Sequence, residues 1–306
     1  MTEIHPIAPE DRSVAAAMRQ ATTPHKGQPM GVEARPMFDA MMAATPAAPG
    51  VRFETGTVGG IPGWWCRLPS AAAEARLLYL HGGGYNLGSA EAFRNLASQL
   101  AVRAGADAFL PDYRLAPEHP FPAALNDAVA VYRGLLDNGA NKVVVAGDSA
   151  GGGLALALLA VLTNGRDMAL PSGAAVMSPW TDLTLSGDSM ESRAEADPIF
   201  TRGVIAAFAD AYAREHDRTD PKVSPLYAGL AGLPPVHIDV GDNELLLDDS
   251  VRFAERARAA GVDVSLSIWT GMPHVFQSSL GQLVAAGRSL DAIGAFLAGR
   301  LGASTE

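Results

Sequence analysis

The chain has 306 residues, 48% of them hydrophobic and 18% charged, with 32 Gly and 21 Pro; this is the make-up of a compact globule with room for one large domain or two small ones. With 23 Lys and Arg against 33 Asp and Glu, the formal net charge is −10. The chain therefore lacks the positive footprint that phosphate backbones and anionic lipid require, and neither nucleic acid nor membrane is an expected partner. The longest purely apolar run, 154–162, is nine residues, against the roughly 20 that span a bilayer.

Residues 1 to about 45 are rich in Ala and Met and broken by Pro24, Pro29 and Pro36, which reads as short helices. The first residues carry an acid and no basic, apolar leader. The single cysteine, Cys66, cannot close an internal disulfide, so the expected setting is a reducing cytoplasm. From there on, strand-like runs (51–55, 63–67, 76–80, 107–110, 142–146, 174–177, 236–240, 264–269) alternate with helical ones (91–103, 122–138, 152–163, 249–260, 280–301). The later strands are continuous apolar runs, as suits a parallel sheet buried on both faces. The first two follow each other without a helix and predict an antiparallel hairpin. Between Trp180 and Pro225 the rhythm breaks into helices and polar loops, an insertion where a lid is expected.

Three motifs carry chemistry. His81-Gly82-Gly83-Gly84-Tyr85 follows the strand at 76–80. Its glycines let backbone N–H groups approach a substrate, as a developing oxyanion requires, and the spacing fits neither GxGxxG nor GxxxxGK[ST] phosphate loops. Gly147-Asp148-Ser149-Ala150-Gly151-Gly152 lies between an apolar strand and an apolar helix. A serine held at such a strand-to-helix turn stands clear of the sheet, at a helix N-terminus that favours developing negative charge. The expected oxyanion donors are the N–H groups of Gly83, Gly84 and Ala150. Gly271-Met272-Pro273-His274-Val275-Phe276 follows the last strand and puts a histidine where a general base can act. Chain order favours His274 over the other six histidines, because it follows both the serine and the candidate acids. The acid belongs in the turn after 236–240, where Asp242, Glu244, Asp248 and Asp249 compete and spacing does not choose. Neither HExxH nor paired CxxC is present, so no metal is expected.

HGGGY, then DYRLAPEHPFPAALND at 112–127, then GDSAGG and MPHVF together resemble the bacterial hormone-sensitive-lipase-like branch of the α/β-hydrolase fold. The resemblance runs from about residue 63 to the C-terminus. It implies an α/β-hydrolase fold with an eight-stranded, mostly parallel sheet flanked by helices, and a helical cap. Segment 1–45 would belong to that cap and 46–306 to the catalytic domain, with a cap insertion at about 181–225. It implies carboxylesterase activity on short acyl chains without a cofactor. Relatives carry the acid as the first Asp of D-P-L-x-D, and here Glu244-Leu245-Leu246-Leu247-Asp248 occupies that element. The resemblance thus implies a triad of Ser149, Glu244 and His274, with Glu in place of Asp and no proline after it.

Further expectations concern the surroundings. Arg114, Glu118 and Asp127 should tie the 112–127 loop through charge-assisted bonds. Met37, Phe38, Met41 and Met42 fall at helical spacing and either line an apolar substrate pocket, with Tyr85, or only dock the segment. The strand at 264–269 is expected at a sheet edge and open to homodimer pairing. A lactone or amide could replace the linear ester, whereas a non-catalytic receptor on this fold would not need His274.

Overall fold

A computed structural model of the chain describes residues 1–72, 74–165 and 167–302. Nine strands form one sheet: β1 (Thr2–His5), β2 (Arg52–Val58), β3 (Ile61–Arg67), β4 (Ala75–Leu80), β5 (Asp107–Pro111), β6 (Lys142–Asp148), β7 (Gly173–Met177), β8 (Val236–Gly241) and β9 (Val264–Trp269). Their spatial order is β1-β9-β8-β7-β6-β4-β5-β3-β2, parallel from β1 to β5 and antiparallel at β3 and β2. The β2–β3 hairpin turns on Gly59 and Gly60 at φ of 59° and 81°, the doubly positive pair that suits a two-residue hairpin loop.

The helices are α1 (Pro9–Thr22), α2 (Arg35–Ala43), α3 (Ala90–Ala104), α4 (Ala123–Asp137), α5 (Ser149–Gly165), α6 (Ser189–Ser192), α7 (Arg202–Ala213), α8 (Leu247–Ala259) and α9 (Val284–Leu301). Alternate strand residues serve opposite layers. Val143 and Val145 pack in the layer of α4, α5 and α8, while Val144 and Ala146 pack under α3 and α9. Burial on both faces is why these strands read as unbroken apolar runs. Helix α5 is buried along nearly its whole length, and α3 is closed by local signals: Ser89 accepts the Ala92 N–H, and Gly105 ends it at φ 67°. Among the described residues no helix is long and apolar enough to cross a membrane.

Two expectations are corrected. The sheet has nine strands and not eight, because Thr2–His5, inside the stretch read as helices, pairs in parallel with β9 (Thr2 opposite Leu266, Ile4 opposite Ile268). Consequently β9 is not an edge. Its outer side is taken by β1, with His5 stacked on Trp269 at 4.0 Å, and the reason for expecting copies to pair through β9 falls away.

The rest of the N-terminal segment is helical as expected. Ile7 and, from helix α1, Val14, Ala15 and Met18 pack against the cluster that holds Trp269 and Phe276. Asp11, fully buried, accepts the Val284 and Ala285 N–H groups at 2.7 and 2.9 Å, capping α9 from a distant part of the chain. Arg19 then donates to the carbonyls of Glu195 and Ala196, and Lys26 to those of Ala194 and Asp197.

Candidate active site

Ser149, Ser178, Glu244 and His274 all follow the carboxyl ends of parallel strands, beside the HGGG loop, where ligands bind in open α/β sheets. Ser149 begins α5 with φ of 53°, a strained left-handed conformation for a residue with a side chain. The residues two before and two after it are glycine because space demands it. A Cβ on Gly147 would lie 2.5 Å from the Gly151 carbonyl oxygen, and one on Gly151 would lie 2.1 Å from the Leu80 oxygen.

His274 Nε2 lies 2.8 Å from Ser149 Oγ, and its Nδ1 lies 3.4 Å from Glu244 Oε1. Glu244 is fully buried. Its second oxygen accepts from Ser178 Oγ at 2.8 Å, and the same hydroxyl accepts the Val275 N–H at 3.2 Å. One serine thus ties the carboxylate to the residue after the histidine. Phe200 meets the His274 ring edge-on at 5.2 Å. Burial penalises the charged imidazole, yet the Glu244 carboxylate, with Asp197 and Asp148 behind it, holds His274 above the ordinary value of 6.5.

The HGGG loop is anchored by the elbow itself. Asp148 Oδ1 accepts the Gly82 N–H at 3.0 Å and the Tyr79 hydroxyl at 2.7 Å, and burial pushes this carboxyl up to about 6. His81 lies between Phe93 and Tyr113, with ring centroids 5.2 and 4.3 Å away. Burial lowers its pKa to about 4, so it is neutral, and its Nδ1 donates to the Gly82 carbonyl at 2.7 Å. Gly83 and Gly84 have φ of 113° and 62°, and among the described residues no backbone carbonyl accepts either N–H. The Ala150 N–H, in the first turn of α5, has no intrahelical partner.

The competing carboxylates point elsewhere. Asp242 accepts the Gly271 N–H at 2.6 Å and so fastens the histidine-bearing loop. Asp248 accepts the Ser189 N–H at 2.9 Å. Asp249 accepts the Thr181 and Asp182 N–H groups. Around the 112–127 loop, Arg114 grips Asp127 through its backbone N–H and its guanidinium. Glu118 instead pairs with Arg35, which also donates to the Asn86 and Ala116 carbonyls.

Of the expected pocket residues, Met37 and Met41 are 67% and 62% exposed and face solvent. Phe38 and Met42, on the adjacent stripe of α2, turn inward, with Phe38 beside Phe93. Tyr85 is buried and stacked on Tyr212 at 3.8 Å. The aromatic rings that approach the site come from the insertion: Phe200 on His274, and Phe208 against Gly84, where an added Cβ would lie 2.7 Å from the ring. Sequence reasoning missed Ser178, Phe200 and Phe208. Ser178 alone left a trace, as the residue that follows β7. Among the described residues no group of three His, Cys, Asp or Glu is placed to hold a metal ion.

A nine-stranded, mostly parallel sheet with these groups at its carboxyl edge defines an α/β hydrolase, and the family described as "alpha/beta hydrolase fold" matches residues 77–278. An acetyl-hydrolase of Streptomyces hygroscopicus is 40% identical over 243 residues, 79% of this chain and 81% of its own length. Two crystal structures are similar throughout. An esterase from the bacterial hormone-sensitive lipase family shares 37% identity at a TM-score of 0.89, covering 96% of this chain and 99% of its own. EstE5, soaked by p-nitrophenyl butyrate, shares 39% identity at 0.88 over the same fractions. The chain belongs to the bacterial hormone-sensitive-lipase-like carboxylesterase family of the α/β-hydrolase fold, and it is a carboxylic ester hydrolase.

Proposed function

We propose that the enzyme hydrolyses short-chain acyl esters through a Ser149–His274–Glu244 triad and an acyl-enzyme intermediate. The observation that carries this is the relay of side chains, 2.8 Å from Ser149 Oγ to His274 Nε2 and 3.4 Å from Nδ1 to Glu244 Oε1, at a serine held with φ of 53°.

Ser149 Oγ attacks the ester carbonyl while His274 Nε2 takes its proton, and the carbonyl oxygen becomes an oxyanion held by the N–H groups of Gly83, Gly84 and Ala150. Glu244 fixes the ring's tautomer and stabilises the imidazolium. His274 then gives the proton to the departing alcohol, leaving the acyl-serine. Water attacks that ester, its proton passes to Nε2, and collapse of the second tetrahedral intermediate returns the proton to Ser149 and frees the acid. No step calls for a metal or cofactor. The name acetyl-hydrolase of one relative, and the rings of Phe200 against His274 and Phe208 against Gly84, favour small acyl groups.

Two measurements test the reading. Ser149→Ala should lower kcat by about 10⁴- to 10⁶-fold with the fold intact, and hydrolysis that survives it would sink the triad. Across p-nitrophenyl esters from acetyl to dodecanoyl, kcat/KM should fall with chain length, and a maximum at dodecanoyl rejects the short-chain assignment.

A further inference from the structure

Asp197 sits in the insertion between α6 and α7, fully buried. Its Oδ1 accepts the N–H groups of Ile199 and Phe200 at 2.7 and 2.8 Å, and its Oδ2 accepts the N–H of Leu245 at 2.9 Å. A buried carboxylate is costly unless its oxygens are hydrogen-bonded, and here three backbone donors satisfy both. The bonds run in two directions. The pair to Ile199 and Phe200 folds the turn that sets the Phe200 ring against His274. The single bond to Leu245 fixes the peptide that follows Glu244.

Glutamate needs this more than aspartate would, because its extra methylene adds a rotatable bond between backbone and carboxylate. Ser178 restrains the far end of the Glu244 side chain, and Asp197 restrains the near end at the backbone. The loop bearing Asp197 is itself braced by Lys26 and Arg19, which donate to the carbonyls of residues 194–197.

We propose that Asp197 is a positioning residue for ester hydrolysis: from the insertion, it holds the backbone of Glu244 and the ring wall of His274 in register with Ser149. This rests on the proposed triad. Asparagine at 197 keeps the shape but offers one acceptor oxygen where two are used, so one of the two directions loses its hold.

The test is a double-mutant cycle on p-nitrophenyl acetate with Asp197→Asn, Glu244→Gln and the double variant, each checked for folding by circular dichroism and Tm. Asp197→Asn should lower kcat by about 10- to 100-fold, the scale of a misplacement near 1 Å, with KM changed less than about threefold. In the Glu244→Gln background the same substitution should cost less than about threefold, since the Glu244–His274 alignment that both holds serve is already lost. Unchanged kcat in Asp197→Asn, a loss confined to KM, or an equal loss in both backgrounds overturns the proposal. Full activity in Glu244→Gln overturns the triad reading, and with it the route assigned to Asp197; an inactive Glu244→Gln beside an unaffected Asp197→Asn overturns the positioning role alone. Should Asp197→Asn fail to fold, Asp197→Glu keeps the charge and displaces the carboxylate. It should show the same fall in kcat at constant KM, and undiminished kcat there likewise overturns the role.

Discussion

On one flank of Ser149 the HGGG loop is fixed by its own neighbourhood, with Asp148 and Tyr79 in adjoining parallel strands and Tyr113 donating to the His81 carbonyl at 2.6 Å. On the other flank Glu244 and His274 are fixed by groups that come from elsewhere in the chain: Ser178 after β7, and Asp197 and Phe200 in the insertion. The hydrogen bonds that hold the proposed oxyanion side therefore come from the sheet, with Phe208 and Tyr212 of the insertion only packed against it, whereas those of the proposed proton-transfer side are shared between sheet and insertion. The two proposed functions on either side of Ser149 draw differently on the rest of the chain, so they should respond differently to damage.

The sharpest way to break this contrast is at the acid. Glu244→Gln should lower kcat by about 10⁴-fold, the loss seen when a triad's charge is removed and its shape kept, whereas Asp242→Asn should cost less than about tenfold; the reverse order in folded proteins would move the acid to Asp242. Next is the oxyanion side. A Cβ on Gly83 would lie 2.2 Å from the Leu87 oxygen, at a φ of 113°, so Gly83→Ala should displace the loop. It should lower kcat by roughly 10²- to 10³-fold, the worth of one oxyanion donor, while the pH dependence stays as it was.

That dependence is a third check. His274 is held above 6.5, and as the proposed base it would act only when neutral. Activity should therefore be lost as pH falls through a midpoint above 6.5, read from the acid limb of kcat/KM, and a midpoint below that value contradicts the coupling to Glu244. The smallest effect should come from α2. With Met37 and Met41 67% and 62% exposed, the double change to Ser should leave kcat/KM within about twofold and stability within about 0.5 kcal/mol; a shifted chain-length preference would return these methionines to the substrate path.

What could be read from the sequence followed the same division. The HGGG and GDSAGG segments are contiguous, and their strand-turn-helix setting is local, so Ser149, Gly83 and Gly84 could be named from spacing and placed by the flanking strands. His274 was legible through its position after the last strand. Glu244 was not, since four carboxylates share its turn and only the family pattern separated them; the structure brings Glu244, and neither Asp242 nor Asp248, within 3.4 Å of His274 Nδ1. Asp197 belongs to no motif, because its partner Leu245 is 48 residues away. The α2 methionines were ambiguous for a geometric reason. Positions 37, 38, 41 and 42 form two adjacent stripes of one helix, and apolarity marks both, while burial uses only the stripe of Phe38 and Met42. Strand β1 escaped notice because four residues are too few for an alternation to register, and its stability comes from β9.

That pairing also orders events in time. Thr2 lies opposite Leu266, so β1 waits for β9, the last strand of the sheet in chain order. At about 5–20 residues per second, residues 1–26 spend roughly tens of seconds without the partners that seat them, while β4, β5 and β6 can already associate. The brace on the 194–197 loop must then mature late, after the chain that carries Ser149. Ribosome-bound chains stalled before residue 264 should leave the first 26 residues open to protease while β4–β6 resist it, and protection of both at that length would mean that the N-terminal segment docks without its strand partner. On this route the proposed nucleophile is made early and its proposed acid is brought into register only after β9, so a nascent chain should carry little esterase activity until β9 and the His274 loop have been made.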